Sequence, residues 1–415
     1  ATALIGAGCG KENPSRKTLD KPQLGIGSTE KEAAEDLGFP GFATKNTTRV
    51  GGSDPAANAA AVARAVYPGD EPAQRPAAVA LADGSDWRIA LAASALMAPP
   101  LRAPVLLSDG EKAPAVTVEA LRTLAPTGSK RTGGAQVVRV GDVFRPARLK
   151  TTDVTGANPF AVARALDAFG AAVRGSASNR VVVVSADAPG YAMPAASWSA
   201  RSGDPILFVR KDVVPPETRA ALKAHRKPQI YVLGPSKIVS PKVTRVLRTL
   251  GTVTRVGDQD IASNAVAFAR FRDGEFGWGI TDPGHGLVFA SAARPADAAA
   301  AAPLSSSGTY GPLLVLPQAG RLPAAVQQYL LDVQPGYDLD PVRGVYNHGW
   351  IIGDAKAIDI GVQAKIDGLL EISPVNAAQE EEPTATTGGA SAPKPSTTTT
   401  PKPDPSPTTT TRSAP

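Results

Sequence analysis

Hydrolytic chemistry calls for histidine, cysteine or paired carboxylates at close spacing, and this chain of 415 residues offers three histidines and one cysteine. His225 lies in a Lys/Arg-rich segment, His285 in Gly284-His285-Gly286, and His348 two residues before Trp350. None has the companions that nucleophilic or zinc catalysis requires: no serine elbow, no His-Glu-x-x-His helix and no Asp/His cluster accompanies them. Asp83 and Asp86 are spaced to meet across a glycosidic bond, but aspartates in a Gly/Ser loop more commonly serve turn chemistry. We therefore expect no catalytic residue, no metal and no cofactor. Cys9, the single cysteine, excludes an internal disulfide and a thiolate metal cage.

The run Ala3-Leu4-Ile5-Gly6-Ala7-Gly8-Cys9 permits two readings. A dinucleotide loop needs a third glycine where Lys11 stands, followed by a helix whose amides face pyrophosphate; Pro14 and Pro22 interrupt any such helix. The other reading is the end of a lipoprotein signal, with small residues ahead of a cysteine and a polar tether behind it. Residues 1–9 are accordingly expected to be a signal remnant with Cys9 as a lipid anchor to the membrane.

What remains able to bind is positive charge. Lys and Arg number 44 against 38 Asp and Glu, a net +6. An excess of this sign attracts anionic partners over long range. Nucleic acid is not expected among them, because the few aromatic residues, 5% of the chain, are not interleaved with a basic stripe.

Which cations could act together depends on the elements that carry them. Thr48-Arg49-Val50-Gly51-Gly52-Ser53-Asp54 recurs as Thr254-Arg255-Val256-Gly257-Asp258-Gln259-Asp260, and more loosely from Thr152 to Asn158. In the first and third copies, Asn58 to Arg64 matches Asn264 to Arg270 without a gap. Each copy then repeats three short apolar runs. The first begins at Ala77, Val181 and Gly286; the second at Pro104, Pro205 and Pro312; the third at Gln136, Gln229 and Gly349. Unalternated runs of four to six apolar residues suit strands covered on both faces, hence a parallel sheet. Helical stretches at AVTVEALRTLA, PETRAALKAHR and AAVQQYLLDV separate the second and third runs, giving right-handed βαβ crossovers. The expected fold is α/β, with three tandem Rossmann-like parallel-sheet repeats at 48–151, 152–253 and 254–375.

In open α/β sheets, ligands bind beyond the carboxyl ends of the strands, where helix N-termini also point. There the sequence puts Lys112 after PVLLSD, Arg145 after VVRVGD, Arg210 and Lys211 after PILF, Lys237 in LGPSK, Arg321 after PLLVLPQ and Lys356 in IIGDAK. These seven are the candidate contacts to an anionic polymer.

The combination of TRVGGSD, an Asn-Ala-x-Ala-x-Ala-Arg helix, ALADGSDWRIALAASALMAPPLRAPVLLSD and, in the second copy, IYVLGPSKIVSPKV resembles the cell-wall-binding repeat type 2 family from about Thr48 to Ile372. The second copy departs from the pattern with Asp153 in place of the opening Arg and YAMPAAS in place of the DALxA segment; the third has the shorter ADAAAAA. The resemblance implies an exported surface protein of Gram-positive type, and with no catalytic constellation in its residues a non-catalytic one. It further implies three copies in a pseudo-threefold arrangement, attached non-covalently to anionic cell-wall polymer.

Residues 10–47 read as a polar linker with a short helix from Glu30 to Leu37, and 376–415 as a disordered Pro/Thr-rich tail that buries too little to order itself. Two alternatives to wall binding stay open at this level: an envelope scaffold for protein partners, and a solute-binding α/β protein.

Overall fold

The computed structural model describes residues 41–375 apart from Asp70. The signal remnant with Cys9, the linker as far as residue 40 with its expected helix, and the tail from Asn376 lie outside the described residues. Strands β1 (Gly41–Ala43) and β2 (Thr47–Val50) lead into helix α1 (Pro55–Val66). β3 (Val79–Asp83), α2 (Trp87–Ala93), β4 (Val105–Ser108), α3 (Ala115–Leu124) and β5 (Val137–Val140) follow. The second copy contains β6 (Thr151–Val154), α4 (Pro159–Arg174), β7 (Arg180–Ser185), α5 (Pro189–Ala192), α6 (Pro194–Ser202), β8 (Ile206–Val209), α7 (Pro216–Ala224), β9 (Gln229–Leu233) and α8 (Pro241–Arg248). The third contains β10 (Thr252–Val256), α9 (Ile261–Arg270), β11 (Gly286–Ser291), α10 (Asp297–Ser306), β12 (Leu313–Leu316), α11 (Ala324–Asp332), β13 (Gly336–Tyr337), β14 (His348–Ile352), α12 (Ile360–Leu369) and β15 (Ser373–Pro374).

Every apolar run predicted from the sequence is a strand, and the strands are buried because helices cover both faces. Val181 to Val184 and Leu313 to Leu316 are at most 1% exposed. Three parallel sheets built on four strands each result, ordered β4-β3-β5-β6, β8-β7-β9-β10 and β12-β11-β14-β2, the last extended by antiparallel β1; β13 and β15 form a separate two-stranded parallel pair. The fold is α/β with Rossmann-like units, as the sequence predicts.

The sheets do not coincide with the sequence copies. The opening strand of each copy pairs with the closing strand of the copy before it: Val137 with Thr151, Gln229 with Thr252. The opening strand of the first copy completes the third sheet, Gly349 pairing with Thr47. Each sheet is thus displaced by one strand from its sequence repeat, while the helix after that strand, α1, α4 or α9, packs on the sheet of its own copy, and the chain closes on itself. β1 and β2 also carry ordered structure into the stretch read as linker.

Between the sheets the central helices meet. Met97, in the turn after α2, packs with Ala200 of α6 and Ala302 of α10 in one buried cluster, one residue from each copy. Asp297 through Ser305 of α10 are all buried, as expected of a helix surrounded by others. Alanine suits these positions because a methyl side chain lets helix backbones approach closely.

Candidate binding surface at the strand ends

The repeated signature builds the scaffold rather than a site. Its last residue is the helix cap: Asp54 accepts from Ala57 N at 2.9 Å, Asn158 from Ala161 N at 2.9 Å, and Asp260 from Ser263 N at 3.0 Å. Four residues on, buried Asn58 accepts from Gly52 N at 2.7 Å and donates to Asp297 at 2.8 Å. Gly51 and Gly257 have φ of 109° and 134°, so a side chain there would be strained as well as driven into the asparagine.

The signature arginine is equally structural. Arg49 is 4% exposed and donates to the carbonyls of Gly353, Asp354 and Ile358 at 2.7–2.8 Å and to Gln363 Oε1 at 2.9 Å. Burial pulls its guanidinium down to about 10, against the opposing pull of Asp354 and Asp359. Arg255 holds the Gly234 and Val239 carbonyls at 2.6 and 2.7 Å. Both clamp the loop that follows the closing strand of the neighbouring copy. Where the second copy has Asp153 instead, Arg139 on the adjoining strand does this work, donating to the Val143 and Phe144 carbonyls at 3.1 Å and to Asp153 at 3.0 Å. Asp153 and Arg139 stand opposite each other in the β5–β6 register. The departure at Asp153 is an exchange of the clamp between neighbouring strands.

The seven candidate cations all lie in exposed loops. Arg210, Lys211 and Lys237 share one end of the second sheet, where the Lys211 carbonyl accepts from Ser240 N at 3.0 Å. Arg210 pairs with Asp187 at 2.7 Å and lies 5.5 Å from the Phe160 ring. Arg145 is turned back onto β6, bonded to Thr151 and Asp153. Lys112 closes a tight loop with Asp109, their backbones exchanging hydrogen bonds of 2.9 and 3.0 Å. Arg321 lines a depression of about 220 Å³ with Gln318 and Pro323. Lys356 neighbours Asp354, whose carboxyl is raised by burial but held below its usual range overall, by Arg294 first and by Lys356 last. A second depression of about 230 Å³, at the ends of β3 and β4, carries Asp54 and Asp109 and none of the seven. The candidates therefore form separate groups, one or more per sheet.

The histidines are built into the fold. His225 bonds the Ser178 carbonyl and Asp167 at 2.7 Å each; burial opposes its protonation, yet the Asp167 bond prevails and raises its pKa. This His–Asp pair joins residues 58 positions apart, which is why spacing gave no sign of it. His348, shifted downward by burial, contacts Thr48 at 3.1 Å and packs against Trp350. His285 packs edge-on to Tyr310. Asp83 accepts from Ser85 N at 2.9 Å, and Asp86 caps α2 while pairing with Arg88, so both perform turn and cap chemistry. Among the described residues no group of three or more His, Cys, Asp or Glu could hold a metal.

The sequence also gave no sign of buried Asp297. Its Oδ2 has no hydrogen-bond partner among the described residues, and burial, with Asp54 and Asp354 adding repulsion against the help of Asn58 and Arg294, pushes its pKa up to about 7.

No family model and no curated protein matches the chain. Solved structures that share its fold include Cwp6 and Cwp8, both from Clostridium difficile. Cwp6 matches with a TM-score of 0.57 at 15% identity, over 78% of this chain and 49% of its own. Cwp8 matches with a TM-score of 0.58 at 16% identity, over 78% and 52%. This chain thus resembles about half the length of two cell wall proteins, and at these identities the likeness is one of fold.

Proposed function

We propose that this protein is a non-catalytic component of the cell envelope that attaches non-covalently to anionic cell-wall polymer through its basic loops. The observation that carries the reading is the three-sheet α/β body, shared with two cell wall proteins, bearing exposed cations beyond the carboxyl ends of its strands. The net charge of +6 has the sign such a partner requires. The ion pairs of Arg145 and Arg210 fit the role: exposed pairs contribute only about 0–1 kcal/mol, so a polyanion can displace the carboxylates.

The copies are arranged about a pseudo-threefold axis in this reading, with the Met97, Ala200 and Ala302 contact near it. Cys9 carries a lipid anchor to the membrane, and the body faces the wall. Co-sedimentation of the full chain with purified cell walls tests the proposal. Wall binding that weakens with added salt is expected, and Arg210→Ala/Lys211→Ala/Lys237→Ala should reduce it while leaving thermal unfolding unchanged. A protein that stays in the supernatant at low salt, or that sediments equally well at high salt, overturns it.

A further inference from the structure

At the other ends of the strands, the segments leading into β4, β8 and β12 border a cavity of about 390 Å³ drawn from all three copies. Arg102 comes from the first copy, Arg180, Trp198 and Arg201 from the second, and Glu275 and Ser306 from the third. We propose that this cavity binds a singly charged acidic sugar unit, one carboxylate or one phosphodiester group on a pyranose ring. The proposal rests on the wall-polymer reading for its biological ligand, but the site stands on its own geometry.

Charge sets the ligand's sign. Arg180 is committed to Glu275 at 2.9 Å and to buried Asp204 at 3.4 Å. Arg102 and Arg201 have no carboxylate partner among the described residues. Three arginines against two carboxylates leave one positive charge unmatched, which a monoanion neutralises. Guanidinium forks suit carboxylate and phosphate alike, because both present two oxygens in a plane.

Shape and pre-organisation point to a sugar. Arg201 lies 3.4 Å over the Tyr310 ring, a stacking that fixes its fork before any ligand arrives. Tyr310 is 37% exposed and continues a row of rings through Trp278, at 6.5 Å, to Trp198, at 5.5 Å from Trp278. Of these rings Trp198 reaches the cavity wall, and its apolar edge beside the Ser202, Ser306 and Ser307 hydroxyls gives the mixed apolar and hydrogen-bonding lining that a pyranose matches. The volume lies within the range of about 300–1,000 Å³ usual for small-ligand sites. Arg102 itself holds a φ of 49°, a left-handed conformation that favours glycine, and Tyr67 secures it by donating to its carbonyl at 2.9 Å.

The test is titration of the full chain, by calorimetry and tryptophan fluorescence, with galacturonate, the methyl phosphodiester of glucose 1-phosphate, glucose and inorganic phosphate. Saturable binding of galacturonate or the phosphodiester, at least tenfold tighter than glucose or inorganic phosphate, is expected; the stronger of the two identifies the acid. Arg102→Gln/Arg201→Gln should lower that affinity about tenfold or more with an unchanged melting temperature. Tyr310→Ala, a second variant outside the arginine pair, should weaken it several-fold by releasing Arg201. Equal binding of glucose and galacturonate, no saturable binding of either acid, or full affinity in the folded double variant overturns the site. If the double variant loses the sugar acids but still sediments with walls, the wall reading holds independently of the cavity. If the wild type binds the acids but ignores walls, the cavity survives and the wall reading fails.

Discussion

The two ends of the strands handle positive charge in different ways. Beyond the carboxyl ends, cations occur in separate loops, and two of them, Arg145 and Arg210, are paired with aspartates. At the amino ends, arginines from two copies converge on one cavity beside a row of aromatic rings. The first arrangement follows from each sheet singly; the second exists only because the copies are assembled. A loose set of charges suits a long flexible polyanion by long-range attraction. A shared cavity suits one residue of it.

A third class of cation, the clamps, sharpens the contrast, since its donors are spent on backbone carbonyls of the fold. Arg49→Met should have the largest effect, a loss of about 3–5 kcal/mol in urea unfolding, because three buried carbonyls lose their donor. A loss below about 1 kcal/mol would show that the closure of the third sheet does not depend on it.

Asp297 should give the next effect, through pH. Its folded pKa, about 7, lies above the value of about 4 expected when unfolded. Between these values the folded state binds the extra proton, so stability is greatest near pH 4, falls as pH rises toward 7, and levels off beyond. A change of a few kcal/mol is expected across that window, and Asp297→Asn should flatten it. A wild-type profile already flat there would show that the carboxyl is not buried as described.

Arg139→Val should lose about 1–2 kcal/mol, and Arg139→Val/Asp153→Arg should recover most of it by rebuilding the clamp as the other two sheets have it. No recovery in the double variant would mean that the two strands are not interchangeable. The smallest effect belongs to Arg210→Ala/Lys211→Ala/Lys237→Ala, within about 0.5 kcal/mol of wild type, since surface loops contribute little. A larger loss would move these residues from the binding class to the scaffold.

The strands were legible because burial on both faces leaves unbroken apolar runs, as in Val181 to Val184. The three-copy organisation was legible because signature residues such as Asp54 and Asp260 must recur wherever the same cap recurs. Sheet closure was not, because the pairing of Thr47 with Gly349 leaves no mark in either segment. Nor was the cavity: Arg102 and Arg201 belong to different copies, and nothing local says that their loops meet. Reading cations one strand at a time finds what a single sheet presents, and overlooks what three build together.

The returning first strand also sets a path for mechanical load. Lys45 pairs with Glu371, Thr44 and Asn46 bond to Asp367, and β2 lies along β14. A pull between residues 41 and 375 therefore passes across one small patch of the third sheet, leaving the other two slack. Tension applied through these two ends would test that patch first, as a seam that opens before the body deforms.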